Sequence, residues 1–330
     1  MGGRVKRILD AVERMSMGTR LAVLALATVV VVAATIAVGG GPDDNNASDS
    51  TPSDQVAETQ TRSPYLGPRG VHTWVPSRAK PHSTVWAVGD AADGSSTSEA
   101  VAGMVAGHRV DRLIYLGDVY GTGTAAEFAS NYRPIYGRFN AITAPTIGNH
   151  EWPTVATGYV PYWTAARGTP PPLRYAFAVS GWQLISLNSN PPSDPAQEAW
   201  LGRQIRSTPR YGDCRIAFMH HPRYSAGLHG DLQGLQGIFD ELRGHASIAL
   251  AGHDHDMQRL HPVDGITPFV DGAGGAELYP ANRDDPRLAF FDDTDHGALR
   301  IELTPGRAAL SFVDQEGKIL DRSAVTCHQA

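Results

Sequence analysis

Short apolar runs punctuate most of this chain, and the residues that end each run prove as informative as the run itself. Thr84–Val88, Arg112–Leu116, Tyr175–Val179, Gln183–Leu187, Arg215–Met219, Ser247–Ala251 and Pro268–Val270 are rich in β-branched or aromatic residues, the pattern of buried strands. Between them, Ser95–His108, Thr124–Ala129, Pro195–Thr208 and Leu232–Arg243 repeat apolar residues at helical spacing. Near the end, Ala298–Leu303 and Ala308–Val313 flank Thr304-Pro305-Gly306 and predict a β-hairpin. Strands interleaved with helices and closed by a hairpin predict an α/β fold with a mixed sheet or two stacked sheets.

The N-terminus departs from this pattern. Residues 1–20 carry Arg4, Lys6, Arg7, Arg14 and Arg20, and an uncharged apolar run, Leu21 to Val38, follows. As a helix that run reaches about 27 Å, close to the thickness of a hydrocarbon core. A basic flank stays cytoplasmic, which would hold the rest of the chain outside as a membrane-anchored protein. The competing reading is a cleaved signal peptide, with Thr35 and Ala37 at the small-residue positions before the cut and a secreted product. Residues 39–64 are polar, acidic and almost free of large apolar side chains, so they read as a flexible linker. The folded domain is then residues 65–330.

Composition narrows the function. With 42% hydrophobic and 19% charged residues there is material for one large core. The net charge of −6, without a basic run past the N-terminus, argues against nucleic acid as a specific partner. Thirteen histidines draw attention to metal and proton chemistry. Cys214 and Cys327 have no C-x-x-C context, which argues against a thiolate zinc site. In an oxidising compartment they could pair and tie the C-terminal tail to the body; otherwise they are two free thiols.

Five apolar runs end in groups able to hold a hard cation. The first two lead into Gly89-Asp90 and Gly117-Asp118; Pro145-Thr146-Ile147 leads into Gly148-Asn149-His150-Glu151. Ile216–Met219 leads into His220-His221-Pro222, and Ile248–Ala251 into Gly252-His253-Asp254-His255. Sites in α/β folds gather where strands end and side chains converge. Any one Gly-Asp or Gly-His is most simply a turn; five in order are not. No G-x-S-x-G element occurs, so a serine hydrolase has no nucleophile. Gly272-Ala273-Gly274-Gly275 lacks Walker spacing and reads as a tight turn near the site.

These blocks resemble the ordered motifs GD, GD, GNH(D/E), H and GHxH of the calcineurin-like metallophosphoesterases, over residues 90 to 255. Ala92, where D-x-H members have histidine, moves the resemblance to the purple acid phosphatase-like branch, and the text at 220–230 is similar to secreted bacterial members. The resemblance implies a sandwich of two mixed β-sheets flanked by helices, and two metal ions (Fe, Mn or Zn). It makes Asp118 the bridging carboxylate, with Asp90 and His255 at the first metal and Asn149, His220 and His253 at the second. Oxygen and imidazole donors without thiolate suit such metals.

By the same resemblance His150 would stabilise phosphate charge or protonate the leaving group, and His229, nine residues after His220, would contact phosphate. Tyr120 stands one residue short of the tyrosine ligand in GDxxY; it either reaches the first metal through a tightened loop or packs within the loop, and without phenolate no purple colour is expected. Glu151 orients an imidazole or is a solvated acid, and His221 reads as a loop or wall residue. Trp152, Tyr159, Tyr162 and Trp163 line a substrate mouth, form a lid or pack in the core. The implied reaction is attack on a phosphate ester, more readily a monoester, by a hydroxide held between the metals. Alternatives are a phosphodiesterase and a non-catalytic, metal-stabilised surface binding module.

Overall fold

A computed structural model of the protein describes residues 74–330. The basic segment 1–20, the apolar run 21–38, the linker 39–64 and the start of the folded domain lie outside the described residues. Among the described residues no helix is long and apolar enough to cross a membrane.

In chain order the strands are β1 (Ser83–Val88), β2 (Arg112–Tyr115), β3 (Thr143–Pro145), β4 (Tyr175–Val179), β5 (Trp182–Ser186), β6 (Arg215–Phe218) and β7 (Ile248–Ala251). They continue with β8 (Met257–Leu260), β9 (Thr267–Asp271), β10 (Leu288–Asp292), β11 (Gly297–Thr304), β12 (Arg307–Asp314) and β13 (Ile319–Thr326). One sheet has the order β13-β12-β11-β1-β2-β3, the other β10-β8-β9-β7-β6-β5-β4. Both are mixed. β1, β2 and β3 are parallel neighbours in the first, and β5, β6, β7 and β9 in the second, while the remaining pairings are antiparallel.

The side-chain alternation along the second sheet explains why its strands read as continuous apolar runs. Tyr175, Phe177, Ile216, Phe218, Ile248 and Leu250 join the large core shared with the first sheet. Their neighbours Ala176, Ala217, Met219 and Ala249 face the other way, into a smaller core under two helices. A strand buried on both faces needs no polar side, so period-2 alternation disappears. Phe269 of β9 and Phe290 of β10 both pack on Phe312 of β12, joining the two sheets through their facing sides.

Of the four longer helices, two have clear sequence causes at their starts. α1 (Ser96–Ala106) starts at Ser95, whose hydroxyl accepts from the Ser98 amide. α2 is Tyr159–Arg167. α3 (Pro195–Ser207) starts with proline at its first turn, and Asp194 caps it by accepting from Ala196 and Gln197. α4 is Gln236–Leu242; the helix expected from Leu232 opens instead as a tighter turn over Gln233–Leu235. The helix expected over Thr124–Ala129 keeps α geometry only at Ala125–Glu127, behind a Thr124/Glu127 capping box, and then widens over Phe128–Tyr132. Pro134, which has no N–H to give, follows that widening.

Trp163 and Tyr159 are buried in the aromatic core, with Trp152 and Tyr162 packed against it, so core packing describes these four residues. Cys214 and Cys327 form a disulfide that ties the C-terminal tail to the start of β6.

Candidate metal centre

All five blocks leave the carboxyl ends of parallel strands: Asp90 after β1, Asp118 after β2, Asn149 after β3, His220 after β6 and His253 after β7. Asp90, Asp118 and His253 have φ of 56°, 67° and 70°, the left-handed region that residues with a Cβ seldom occupy. Each such residue costs on the order of 1–3 kcal/mol and persists only where the surroundings enforce it. Three of them in one cluster mark a site, not three loose turns. Close approach also requires glycine: a Cβ on Gly148 would lie 1.9 Å from Asp118 Oδ1, and one on Gly117 2.7 Å from the Gly148 nitrogen.

The donor atoms fall into two groups joined by Asp118. In the first, His255 Nε2 lies 3.4 Å from Asp90 Oδ1, and the Tyr120 hydroxyl lies 3.1 Å from Asp90 Oδ1 and 2.8 Å from His255 Nε2. In the second, His220 Nε2 is 2.8 Å from Asn149 Oδ1 and 3.2 Å from His253 Nδ1. Asp118 Oδ1 lies 3.5 Å from His220 Nε2, and donor atoms of Asp90, Asp118 and His220 fall within 4.8 Å of one another. The shortened spacing before Tyr120 therefore does not keep its phenol from the first group.

Backbone carbonyls set the imidazoles. His220 Nδ1 donates to Leu116 O at 2.9 Å, and His255 Nδ1 to Glu277 O at 2.7 Å. A carbonyl only accepts, so in each ring Nδ1 carries a proton and Nε2 is the nitrogen turned to the centre. Near His220 that nitrogen faces a second ring nitrogen and an amide oxygen.

Charge points the same way. Asp90 is fully buried, which works to raise its pKa, but the hydrogen bond and charge of His255, the charge of His220 and the His253 amide outweigh burial and hold it below its ordinary range. Asp118 is raised, by burial and then by Asp90 beside it, against the charges of His220 and His150. His253 is lowered to about 2 by burial and by its imidazole neighbours, and His221 to about 3 in the same way. Burial works to lower His255, but the hydrogen bond and charge of Asp90 outweigh it and raise its pKa. Buried acids, an amide oxygen and imidazoles form a donor set that fits hard-to-borderline cations, and these residues suit the pair of metals implied by their motifs.

Around the donors, His150 gives its Nδ1–H to Gly121 O at 2.5 Å and turns Nε2 to within 3.7 Å of Asp118 Oδ2. The His229 ring packs at a tilt 4.2 Å from His253, and its Nδ1 lies 2.9 Å from Asp254 Oδ1. Glu151 meets neither sequence reading: it is buried, and Oε2 accepts from the Asp118 and Gly148 amides at 3.1 Å each, fastening two blocks together. Gly274 N bonds to Gly89 O, as expected of a turn beside the site.

Three neighbours were not singled out as site residues from the sequence. His221 packs 4.3 Å from His253 and belongs to the His220/His253 group, although a histidine next to a ligand carries no spacing signal. Asp254, inside the GHxH block, accepts both the amide and ring nitrogen of His229. Tyr279 stacks on His255 at 4.1 Å from a segment without a motif.

No protein-family model matches the chain. Over 140 residues it is 26% identical to tartrate-resistant acid phosphatase type 5 of Sus scrofa, covering 38% of this chain and 38% of that protein. The match thus spans well under half of the curated relative's length. Among solved structures, purple acid phosphatase PPD1 from yellow lupin (Lupinus luteus) seeds is similar with a TM-score of 0.64 and 16% identity, over 76% of this chain and 55% of that one. GAP50, the anchor in the inner membrane complex of Plasmodium, is similar with the same TM-score and identity, over 76% of this chain and 90% of that chain. At such identity the structural likenesses establish the fold.

Proposed function

We propose that this chain, a calcineurin-like metallophosphoesterase in fold and related to the purple acid phosphatases, hydrolyses phosphate esters at the centre built around Asp118. One observation carries the reading: donor atoms of Asp90, Asp118, Asn149, His220, His253 and His255, supplied by five strand ends, converge. When bound, a pair of cations at such donors supplies the charge that orients a phosphate and activates water.

The chain's own residues supply the rest. Asp118 lies between the two donor groups and is the side chain placed to serve both. His150, with Nδ1 tied to Gly121 O, keeps Nε2 at the edge of the centre, where it can stabilise phosphate charge or give a proton to the leaving oxygen. His229, tied through Nδ1 to Asp254, offers Nε2 to a second phosphate oxygen. A terminal phosphate has three non-bridging oxygens where a diester has two, so two added donors support monoesters as substrates. Tyr120 is a further ligand candidate at the first donor group, and a phenolate oxygen favours ferric iron there.

Outside the cytoplasm is the location we assign. The basic segment followed by an uncharged apolar run supports export, and the Cys214–Cys327 pair suits an oxidising compartment.

The test uses the full chain with an aryl phosphate monoester and the matching diester, before and after chelation. Hydrolysis favouring the monoester, removed by chelation and absent in Asp118→Asn, is the expected result. Undiminished hydrolysis in metal-free protein would refute it.

A further inference from the structure

Between β9 and β10, residues 272–287 form a connection without strand or helix. Connections of that length are usually functional when ordered. This one reaches the centre at two places. At its first contact the Glu277 carbonyl accepts the His255 Nδ1–H at 2.7 Å, the Tyr279 amide donates to His255 O at 2.9 Å, and the Tyr279 ring stacks on the imidazole at 4.1 Å and 11°. The ring's position and its plane are both set from this segment. The same Tyr279 ring stands edge-on to His229, with centroids 5.6 Å apart.

The second contact holds the loop that carries His229. Arg287 Nη1 donates to both oxygens of Asp231, at 3.0 and 2.8 Å, and Nη2 to Ser225 O at 3.2 Å. Asp231 Oδ1 in turn accepts from the Ser225 amide at 2.9 Å, closing the loop on itself. The Asn282 amide adds a bond to Ala226 O at 2.7 Å. A guanidinium that bridges a carboxylate and a carbonyl fixes direction as well as distance.

We propose that residues 277–287 brace the centre at two points, Tyr279 setting the His255 ring and Arg287 setting the loop that presents His229. Both act as positioning residues. The assignment rests on the phosphoesterase reading, in which His255 faces a metal ion and His229 faces phosphate. It separates the two ends by what each controls: metal affinity for Tyr279, phosphate affinity for Arg287.

Calorimetric titration of the metal-free full chain with Mn²⁺, followed by titration of the loaded protein with inorganic phosphate, tests both ends without turnover. Tyr279→Ala should weaken one Mn²⁺ step about tenfold, the usual effect of losing a ligand's supporting partner, and leave the other step alone. Tyr279→Phe, which keeps the ring, should retain both. Arg287→Gln should leave both Mn²⁺ steps unchanged and weaken phosphate about tenfold, since a small misplacement of a binding group is enough for that. Wild-type Mn²⁺ affinities in Tyr279→Ala, or equal losses at both steps, would overturn the His255 end. Unchanged phosphate affinity in Arg287→Gln, or a loss of Mn²⁺ along with it, would overturn the His229 end. Wild-type protein that binds Mn²⁺ and phosphate yet hydrolyses no ester would sink the functional reading while these titrations still decide the brace.

Discussion

His150 is held at one nitrogen by the Gly121 carbonyl and free at the other, 3.7 Å from Asp118. Proton transfer or charge stabilisation by a side chain so placed contributes about 10²–10⁴-fold. We therefore expect His150→Ala to lower kcat by at least about 100-fold while metal content, read by elemental analysis, stays at the wild-type level. Tyr120 makes a separate prediction. Burial and the nearby Asp90 and Asp118 charges raise its pKa, so the phenol keeps its proton until a cation displaces it. Iron-loaded wild type should show a visible phenolate charge-transfer band that Tyr120→Phe lacks; identical spectra would remove Tyr120 from the ligands. The donors themselves were legible because each sits directly behind a strand-ending run, most with a glycine before it. Glu151, His221 and Tyr279 were not, because their roles depend on which loops the fold brings side by side.

The strand ends that carry these residues depend on how their strands are joined. Asp111, just before β2, accepts the Thr84 amide at 3.0 Å, Lys80 Nζ at 2.8 Å and Arg109 Nε at 2.8 Å, fastening the β2 entry to β1. Burial works to raise its pKa, but these donors outweigh burial and lower it from 3.8 to about 2. A carboxyl depressed in the folded state stabilises the protein above its unfolded pKa and loses that contribution as pH falls towards its folded value. Lys80 and Arg109 are substantially exposed, so the net worth is modest, about 1 kcal/mol. Urea unfolding should show Asp111→Asn less stable by that amount at pH 7, with the gap narrowing from pH 5 to pH 3; a gap constant with pH would contradict the assignment. Strands buried on both faces were readable as apolar runs. β13, with alternate residues exposed, and β8, reading Met-Gln-Arg-Leu, offered no such run. β3 is three residues long, ends in proline and is the edge of its sheet, a place where a missing ladder donor is tolerated. α2 carries Pro161 and two large aromatics, so its helical spacing was hidden among residues that also suit a lid or a pocket wall.

Across the whole molecule, two mixed sheets bring strand ends more than a hundred residues apart in sequence to one place, and the Cys214–Cys327 disulfide closes the chain over a separation of 113 residues. The sheet arrangement could be expected from the ordered motifs, since their donors meet only if the strands carrying them are neighbours or face one another. Sequence left the cysteine pairing open because nothing local sets the distance between such remote thiols; the antiparallel return of β13 along β12 delivers Cys327 to the start of β6. The proposed metal centre is tested most directly by one titration: phosphatase activity of the metal-free full chain as divalent metal is added back. The donor geometry predicts no activity at the start and a rise that breaks at two equivalents per chain. Full activity before any metal is added, or a titration that reaches its plateau with one equivalent, would contradict it.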